Sequence, residues 1–236
     1  MKVEIWSDIM CPFCYIGKRN IETALAQFPQ AKNIEIEWKS FQLDPTLPQV
    51  ATDNHEEYLA KRKGFPVEQV KGMLQNVTNT AKQAGLDFHL EQSVIVNSFN
   101  AHRLIQFAKT KGLGDEAEER FFKAYFTEGK DMADLKTLTT LGKEIGLDEK
   151  ELQAAFTDNQ YAEKVNHDTN EARAIGVTGV PFFVFNRKYA VSGAQPPQAF
   201  VQALEKSFGE WQQENPQAKL NISQGGDSCD VDGNCE

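Results

Sequence analysis

Apolar positions along the chain change period several times, and the changes divide it into elements. Residues 3–6 set Val3 and Ile5 between Lys2 and Glu4, the alternation of a strand. Residues 12–28 bring Ile16, Ile21, Leu25 and Phe28 at near-helical spacing, so a strand hands over to a helix. Residues 34–41 alternate again, with Ile34, Ile36 and Trp38 against charged neighbours, until Asp44-Pro45 and Leu47-Pro48 end the pattern.

From residue 52 to residue 158 the pattern is helical. Helices are predicted over residues 53–63, 66–84, 98–111, 116–128, 132–145 and 148–156. Pro66 sits in a first turn, and Gly64, Gly85, Gly112, Gly129 and Gly146 act as stops. Leu135, Leu138, Leu141 and Ile145 mark one buried face, and no internal repeat stands out, so this block reads as a small bundle. A further helix is expected over 159–175. Two apolar runs, 180–185 and 188–192, flank Asn186-Arg187 and predict an antiparallel hairpin. A helix over 196–208 carries Phe200, Leu204 and Phe208; from Glu214 the chain is polar and is expected to be a mobile tail.

Without the helical block the order is βαβ followed by αββα. That order predicts an α/β protein, a thioredoxin-like fold with a large all-helical insertion. Residues 1–47 and 158–212 form the thioredoxin-like unit, 48–157 the insertion, and 213–236 the tail. A chain of 236 residues that is 40% hydrophobic and 25% charged is ordinary for a globular protein, and large enough to build a core without a staple. The net charge of −9 argues against a nucleic-acid partner. No apolar run approaches the ~20 residues of a membrane span, and the N-terminus has no secretory pattern, so a cytoplasmic protein with no membrane partner is expected. A monomer or weak dimer is the expected state.

The four cysteines form two close pairs, Cys11/Cys14 and Cys229/Cys235. In a reducing compartment such pairs point to redox chemistry or metal rather than structural disulfides. Cys11-Pro12-Phe13-Cys14 falls where strand gives way to helix. The helix start favours an anionic Cys11, Pro12 suits a first helical position, and Cys14, one turn in, is expected to be more buried and less acidic. Cys11 then attacks and Cys14 resolves. The competing readings are a zinc half-site and an idle pair of core cysteines; zinc wants four ligands and the other cysteines lie on the tail, so no metal is expected.

Val180-Pro181 precedes an apolar strand. In the thioredoxin-like order this slot faces the CxxC, and a cis peptide there exposes the backbone of Val180 to an extended substrate; the plainer reading is a strand-entry proline. Pro12, Phe13, Val180 and Pro181 are thus candidate substrate-binding residues. Asp8 is a candidate proton shuttle to Cys14, although the favoured reading is a strand end or turn cap. His89 and His102 have no neighbouring ligand set and read as surface or core residues. Phe121, Phe122, Tyr125 and Phe126 read as core.

Trp6-Ser7-Asp8, Cys11 through Lys18, Asn100 through Leu104 and Gly176 through Phe183 together resemble the DsbA-like thioredoxin family, most closely its FrnE-type branch, over about residues 1–210. The resemblance implies a thioredoxin fold with a helical insertion and a thiol–disulfide oxidoreductase or isomerase, with Cys11 as nucleophile, Cys14 as resolving thiol and Pro181 as a cis-proline. Two departures stand out. Pro12-Phe13 replaces the Pro-His of strongly oxidising periplasmic members, and their signal peptide is missing. The expected activity is therefore reduction or isomerisation of protein disulfides, without a bound cofactor, using a small thiol such as glutathione or a thioredoxin-type protein as reductant. The rivals are a glutathione-dependent isomerase or transferase of the 2-hydroxychromene-2-carboxylate isomerase or kappa type, and a client-binding chaperone module. Cys229/Cys235 are a candidate second redox pair, competing with a structural clasp and a metal site.

Overall fold

β1 (Lys2–Ser7) is buried along almost its whole length because it is central to a four-stranded sheet of order β2-β1-β3-β4. The computed structural model describes residues 1–51 and 54–216. β2 (Glu35–Ser40) runs parallel to β1, with Ile5 opposite Trp38 and Ser7 opposite Ser40. β3 (Phe182–Phe185) is antiparallel to β1, and β4 (Tyr189–Ser192) pairs with β3 as a hairpin. Its turn residues Asn186 and Arg187 have φ of 50° and 56°, the left-handed pair that a two-residue hairpin needs.

The period-2 alternation on β1 sends side chains to two different cores. Val3 and Ile5, with Phe183 and Phe185, meet Ile21, Ala24 and Phe28 of α1 (Pro12–Gln27) and Phe200, Leu204 and Phe208 of α9 (Pro197–Glu214). On the other face Trp6 and Val184 pack with Val177 and with Ala172 of α8 (Asn159–Ala174).

Between β2 and α8 the chain forms α2 (His55–Lys63), α3 (Val67–Gln83), α4 (Phe99–Thr110), α5 (Gly114–Phe126), α6 (Leu135–Glu144) and α7 (Glu149–Ala155). The glycines read as stops, Gly64, Gly85, Gly112, Gly129 and Gly146, all adopt positive φ. Asp134, Asp148 and Asp158 cap the starts of α6, α7 and α8 by accepting backbone N–H bonds. The insertion has its own core, centred on Phe121, Phe122, Tyr125 and Phe126, and that core extends to Ile9, Cys11, Cys14, Tyr15 and Ile16. The cysteine motif therefore lies in the seam between the sheet unit and the helical block.

α8 ties the two together. The Asp168 carboxylate accepts the Ser40 N–H at 2.9 Å and the Gln106 side-chain amide at 2.6 Å, linking α8 to β2 and α4. The carbonyl of the same residue accepts the Trp6 indole N–H at 2.9 Å.

Some boundaries differ from the sequence reading. α9 runs past residue 208, and past the division at 212, to Glu214, because Trp211 packs on Phe208 at 5.4 Å and Glu214 pairs with Lys188. α2 begins at His55 with Asn54 as cap, and α5 begins at Gly114, each displaced by two residues from the predicted start. Two 3-10 turns, Ala31–Asn33 and Leu90–Gln92, carry no periodicity the sequence could reveal. Among the described residues no helix is long and apolar enough to cross a membrane.

Candidate active site

β1 ends at Ser7, and the chain must turn before α1 can start. Asp8 makes that turn. Its carbonyl accepts the Cys11 N–H at 2.9 Å, and its carboxylate accepts N–H bonds from Met10 at 3.3 Å and Leu43 at 2.8 Å. The turn-cap reading of Asp8 describes this geometry. His102 on α4, a plain core or surface histidine by sequence, has a specific partner. It is fully buried, and its Nε2 lies 3.3 Å from Asp8 Oδ1, so the cysteine loop is tied to the insertion as well.

Cys11 is the N-cap of α1 with extended backbone, and Pro12 occupies the first helical position. The Cys14 N–H donates to the Cys11 carbonyl at 3.0 Å, placing both cysteines on one turn. Both are free thiols. The Cys11 thiol donates to the Val180 carbonyl at 3.5 Å, and the Val180–Pro181 peptide is cis. The structure thus brings Cys11, Cys14, Val180 and Pro181 together, with Pro12 half-buried and Phe13 exposed at the rim.

Cys14 is 1% exposed, as expected of the inner thiol, but Cys11 is only 4% exposed. Cys11 is less open than its place at a helix start suggests, because the Val180 loop lies over it. Burial first, then the adjacent Cys11 thiol, push the Cys14 thiol well above the ordinary cysteine range; the Asp8 N–H and the Ser7 hydroxyl act in the opposite sense. The Asp8 contact with Cys14 is through the backbone amide, while its carboxylate is engaged by Leu43, Met10 and His102.

The residues after Cys14 fix the angle of α1. Tyr15 stacks on Phe122 at 4.9 Å and gives its hydroxyl to Glu119 at 2.7 Å. Lys18 is 2% exposed, with its ammonium among Glu22, Asp115 and Glu119. Gly17 is where α1 approaches the proline loop: a Cβ there would stand 3.0 Å from Pro181 Cγ and 3.1 Å from Phe183 Cζ. On an open helix, Gly→Ala gains roughly 1 kcal/mol. Gly72 on α3 has nothing near its missing Cβ, so Gly72→Ala should raise the unfolding midpoint. Gly17→Ala should instead lose about 1 kcal/mol net, because overpacking costs about 1–3 kcal/mol, and should slow disulfide exchange by displacing Pro181. Thermal unfolding of the two variants side by side checks this; equal stabilisation would mean that the proline loop yields freely.

Elsewhere the candidates stay apart. His89 is on the surface beside Asp87 and Glu91. Cys229 and Cys235 lie outside the described residues. Among the described residues no group of three or more His, Cys, Asp or Glu is placed to hold a metal ion. Ser7 and Gly17 stand out in the sequence only as members of the resembling motifs, and the Asp8–His102 contact not at all. The last spans 94 positions and has no local signal.

The DsbA-like thioredoxin domain matches residues 2–205. The chain is 28% identical over 209 residues to the uncharacterized protein YwbO of Bacillus subtilis, covering 86% of this chain and 94% of that one. A probable DsbA oxidoreductase of Streptomyces coelicolor superposes with a TM-score of 0.84 at 35% identity, covering 100% of this chain and 98% of the other. The cytosolic disulfide reductase DsbM of Pseudomonas aeruginosa, solved with glutathione, shares the fold at a TM-score of 0.63 and 16% identity, covering 89% and 100%. With a family match spanning nearly the whole described chain and a CxxC turn set against a cis-proline loop, the protein belongs to the DsbA-like thioredoxin family of thiol–disulfide oxidoreductases.

Proposed function

We propose that the protein reduces or isomerises disulfides of proteins and peptides, with Cys11 attacking and Cys14 resolving. The observation that supports this reading most directly is the Cys11 sulfur at an α1 N-cap, 3.5 Å from the Val180 carbonyl, with Cys14 buried behind it. The Cys11 thiolate attacks one sulfur of a client disulfide. The Cys11–client bond forms, the client S–S bond breaks, and the departing client sulfur takes up a proton. The Cys14 thiol then gives up its proton and attacks the Cys11 sulfur, closing the Cys11–Cys14 disulfide and releasing the second client thiol. Two electrons have passed to the client. Two molecules of a small thiol such as glutathione, or a thioredoxin-type dithiol, restore the reduced pair. In isomerisation the freed client thiolate attacks the mixed disulfide or another client disulfide before Cys14 does.

The client strand pairs with the Val180 backbone beside Pro181. The exposed side chain of Phe13, together with Leu43 from the loop that Asp8 holds, offers apolar contact around the sulfur. Strong oxidants owe their potential to a stabilised reduced form. Neither Pro12 nor Phe13 has a side-chain donor to give Cys11 such help, which favours reduction or isomerisation and a reducing, cytoplasmic setting.

Equilibrating the protein in glutathione buffers of graded poise, followed by acid quench and peptide mapping, tests the reading. A Cys11–Cys14 disulfide is expected to appear in one cooperative transition, with turnover of insulin disulfides at the reducing end. No disulfide between these cysteines at any poise would refute it.

A further inference from the structure

The resolving cysteine raises a chemical problem. Cys14 must ionise to attack Cys11, yet its sulfur is buried, and burial disfavours a thiolate. Two hydrogen-bond donors that act on its sulfur come from the end of β1. They are the hydroxyl of Ser7 and the backbone N–H of Asp8. Ser7 is fully buried and lies in register with Ser40, its carbonyl taken by the Phe41 N–H. Its hydroxyl has no hydrogen-bond partner among the described residues while Cys14 is a thiol. An orphaned buried hydroxyl is destabilising, so its position beside a reacting sulfur calls for an explanation.

We propose that the Ser7 hydroxyl and the Asp8 N–H form a donor pair that receives the Cys14 thiolate in the mixed disulfide. A thiol is a weak acceptor and leaves Ser7 idle; a thiolate is a strong one and draws the hydroxyl into a charge-assisted bond. The donors are fixed before reaction, since Ser7 is held in β1 and Asp8 in the turn that presents Cys11, so little reorganisation accompanies ionisation. The step balances simply. Cys14 loses a proton to solvent or to the client thiolate released in the first step and attacks Cys11; the internal disulfide forms as the Cys11–client bond breaks, the second client sulfur leaves as a thiolate and takes up a proton, and Ser7 is again without a partner. As a donor to the reacting sulfur in this step, Ser7 has a catalytic role.

Other titratable groups face this corner. Cys11 adjoins the Cys14 sulfur directly. The Asp8 carboxylate is held by Met10, Leu43 and His102 of α4. Glu118 and Tyr125 of α5, and Tyr58 of α2, sense the Asp8 charge. None of these other side chains is placed to donate to Cys14 in the way Ser7 is.

The inference rests on Cys11 and Cys14 being the exchange pair, and one experiment separates the two. The reduced full-length protein is mixed with glutathione disulfide and quenched with acid at intervals. Mass spectrometry then follows the glutathione adduct on Cys11 as it forms and decays, from about pH 5 to about pH 9. Ser7→Ala should form the adduct within about twofold of the native rate. Its decay should be about tenfold slower near neutrality, with the pH midpoint of decay raised by about one unit. Ser7→Thr keeps the hydroxyl and should resolve at close to the native rate. The dithiol form of Ser7→Ala should unfold no earlier than the native protein, because an unpaired hydroxyl has been removed; a structural serine would show the reverse. Native decay rate and midpoint in Ser7→Ala, or a Ser7→Thr as slow as alanine, would overturn the donor role and leave the exchange pair standing. No adduct on Cys11 of the native protein would overturn both.

Discussion

Replacing Cys11 with serine is expected to abolish disulfide exchange, with a loss on the order of 10³-fold or more in insulin reduction. A serine hydroxyl at this N-cap is protonated at neutral pH and is a poor nucleophile towards sulfur, and no other described thiol reaches the Val180 loop. Cys14→Ser should behave differently. The first attack needs only Cys11, so the variant should consume one client disulfide and stall as a mixed disulfide, because the hydroxyl that replaces Cys14 cannot close the internal bond. Non-reducing electrophoresis with a disulfide-bonded client should therefore show a persistent adduct for Cys14→Ser and none for Cys11→Ser. The reverse pattern would exchange the two roles. Attack by Cys11 requires the client to displace or pair with the Val180 backbone, since Cys11 is 4% exposed. Small alkylating reagents should for that reason react more slowly with Cys11 than with a fully exposed cysteine.

The parts of this site that were legible in the sequence are those with local signals. A strand, a CxxC and an amphipathic helix follow one another within residues 1–28, and their order already places Cys11 at a helix start. The hairpin showed itself through aromatic and β-branched runs around Asn186-Arg187, and the helical block through its glycine stops. What stayed hidden depends on packing between distant segments. The cysteine motif shares a core with Phe88, Phe122 and Phe126 of the insertion, and nothing in Cys11-Pro12-Phe13-Cys14 announces that. Lys18 looks like a solvated helix residue until Asp115 and Glu119 of α5 close over it. Asp168 looks like any acid on the polar α8, yet it holds Ser40 and Gln106 in place. Gly17 reads as a mild flaw in a helix; only the approach of Pro181 shows why a side chain is excluded there.

Glu118 is the most deceptive of these residues, and its behaviour should be visible in the pH dependence of stability. In sequence it belongs to the acidic run Asp115-Glu116-Ala117-Glu118-Glu119, the ordinary opening of an exposed helix. In the fold it is 1% exposed on the inner face of α5, and its Oε2 has no hydrogen-bond partner among the described residues. Burial first, and then the charge of Asp115, raise its carboxyl to about 8, against the opposing pull of Lys18 and Lys109. The native protein therefore keeps a proton that the unfolded chain releases near the usual carboxylate range. Stability is fully present at acid pH and falls as pH climbs from about 4.5 through about 8, at roughly 1.4 kcal/mol per unit over that window. Above it the loss levels off at no more than roughly 5 kcal/mol. Glu118→Gln keeps the shape and removes the titration. Denaturant unfolding should find this variant close to the native protein near pH 5 and more stable by roughly 3 kcal/mol near pH 8. A native protein whose stability is flat across this range, or a Glu118→Gln variant less stable at pH 8, would mean that the buried carboxylate is paired with Lys18 or Lys109 and stays ionised.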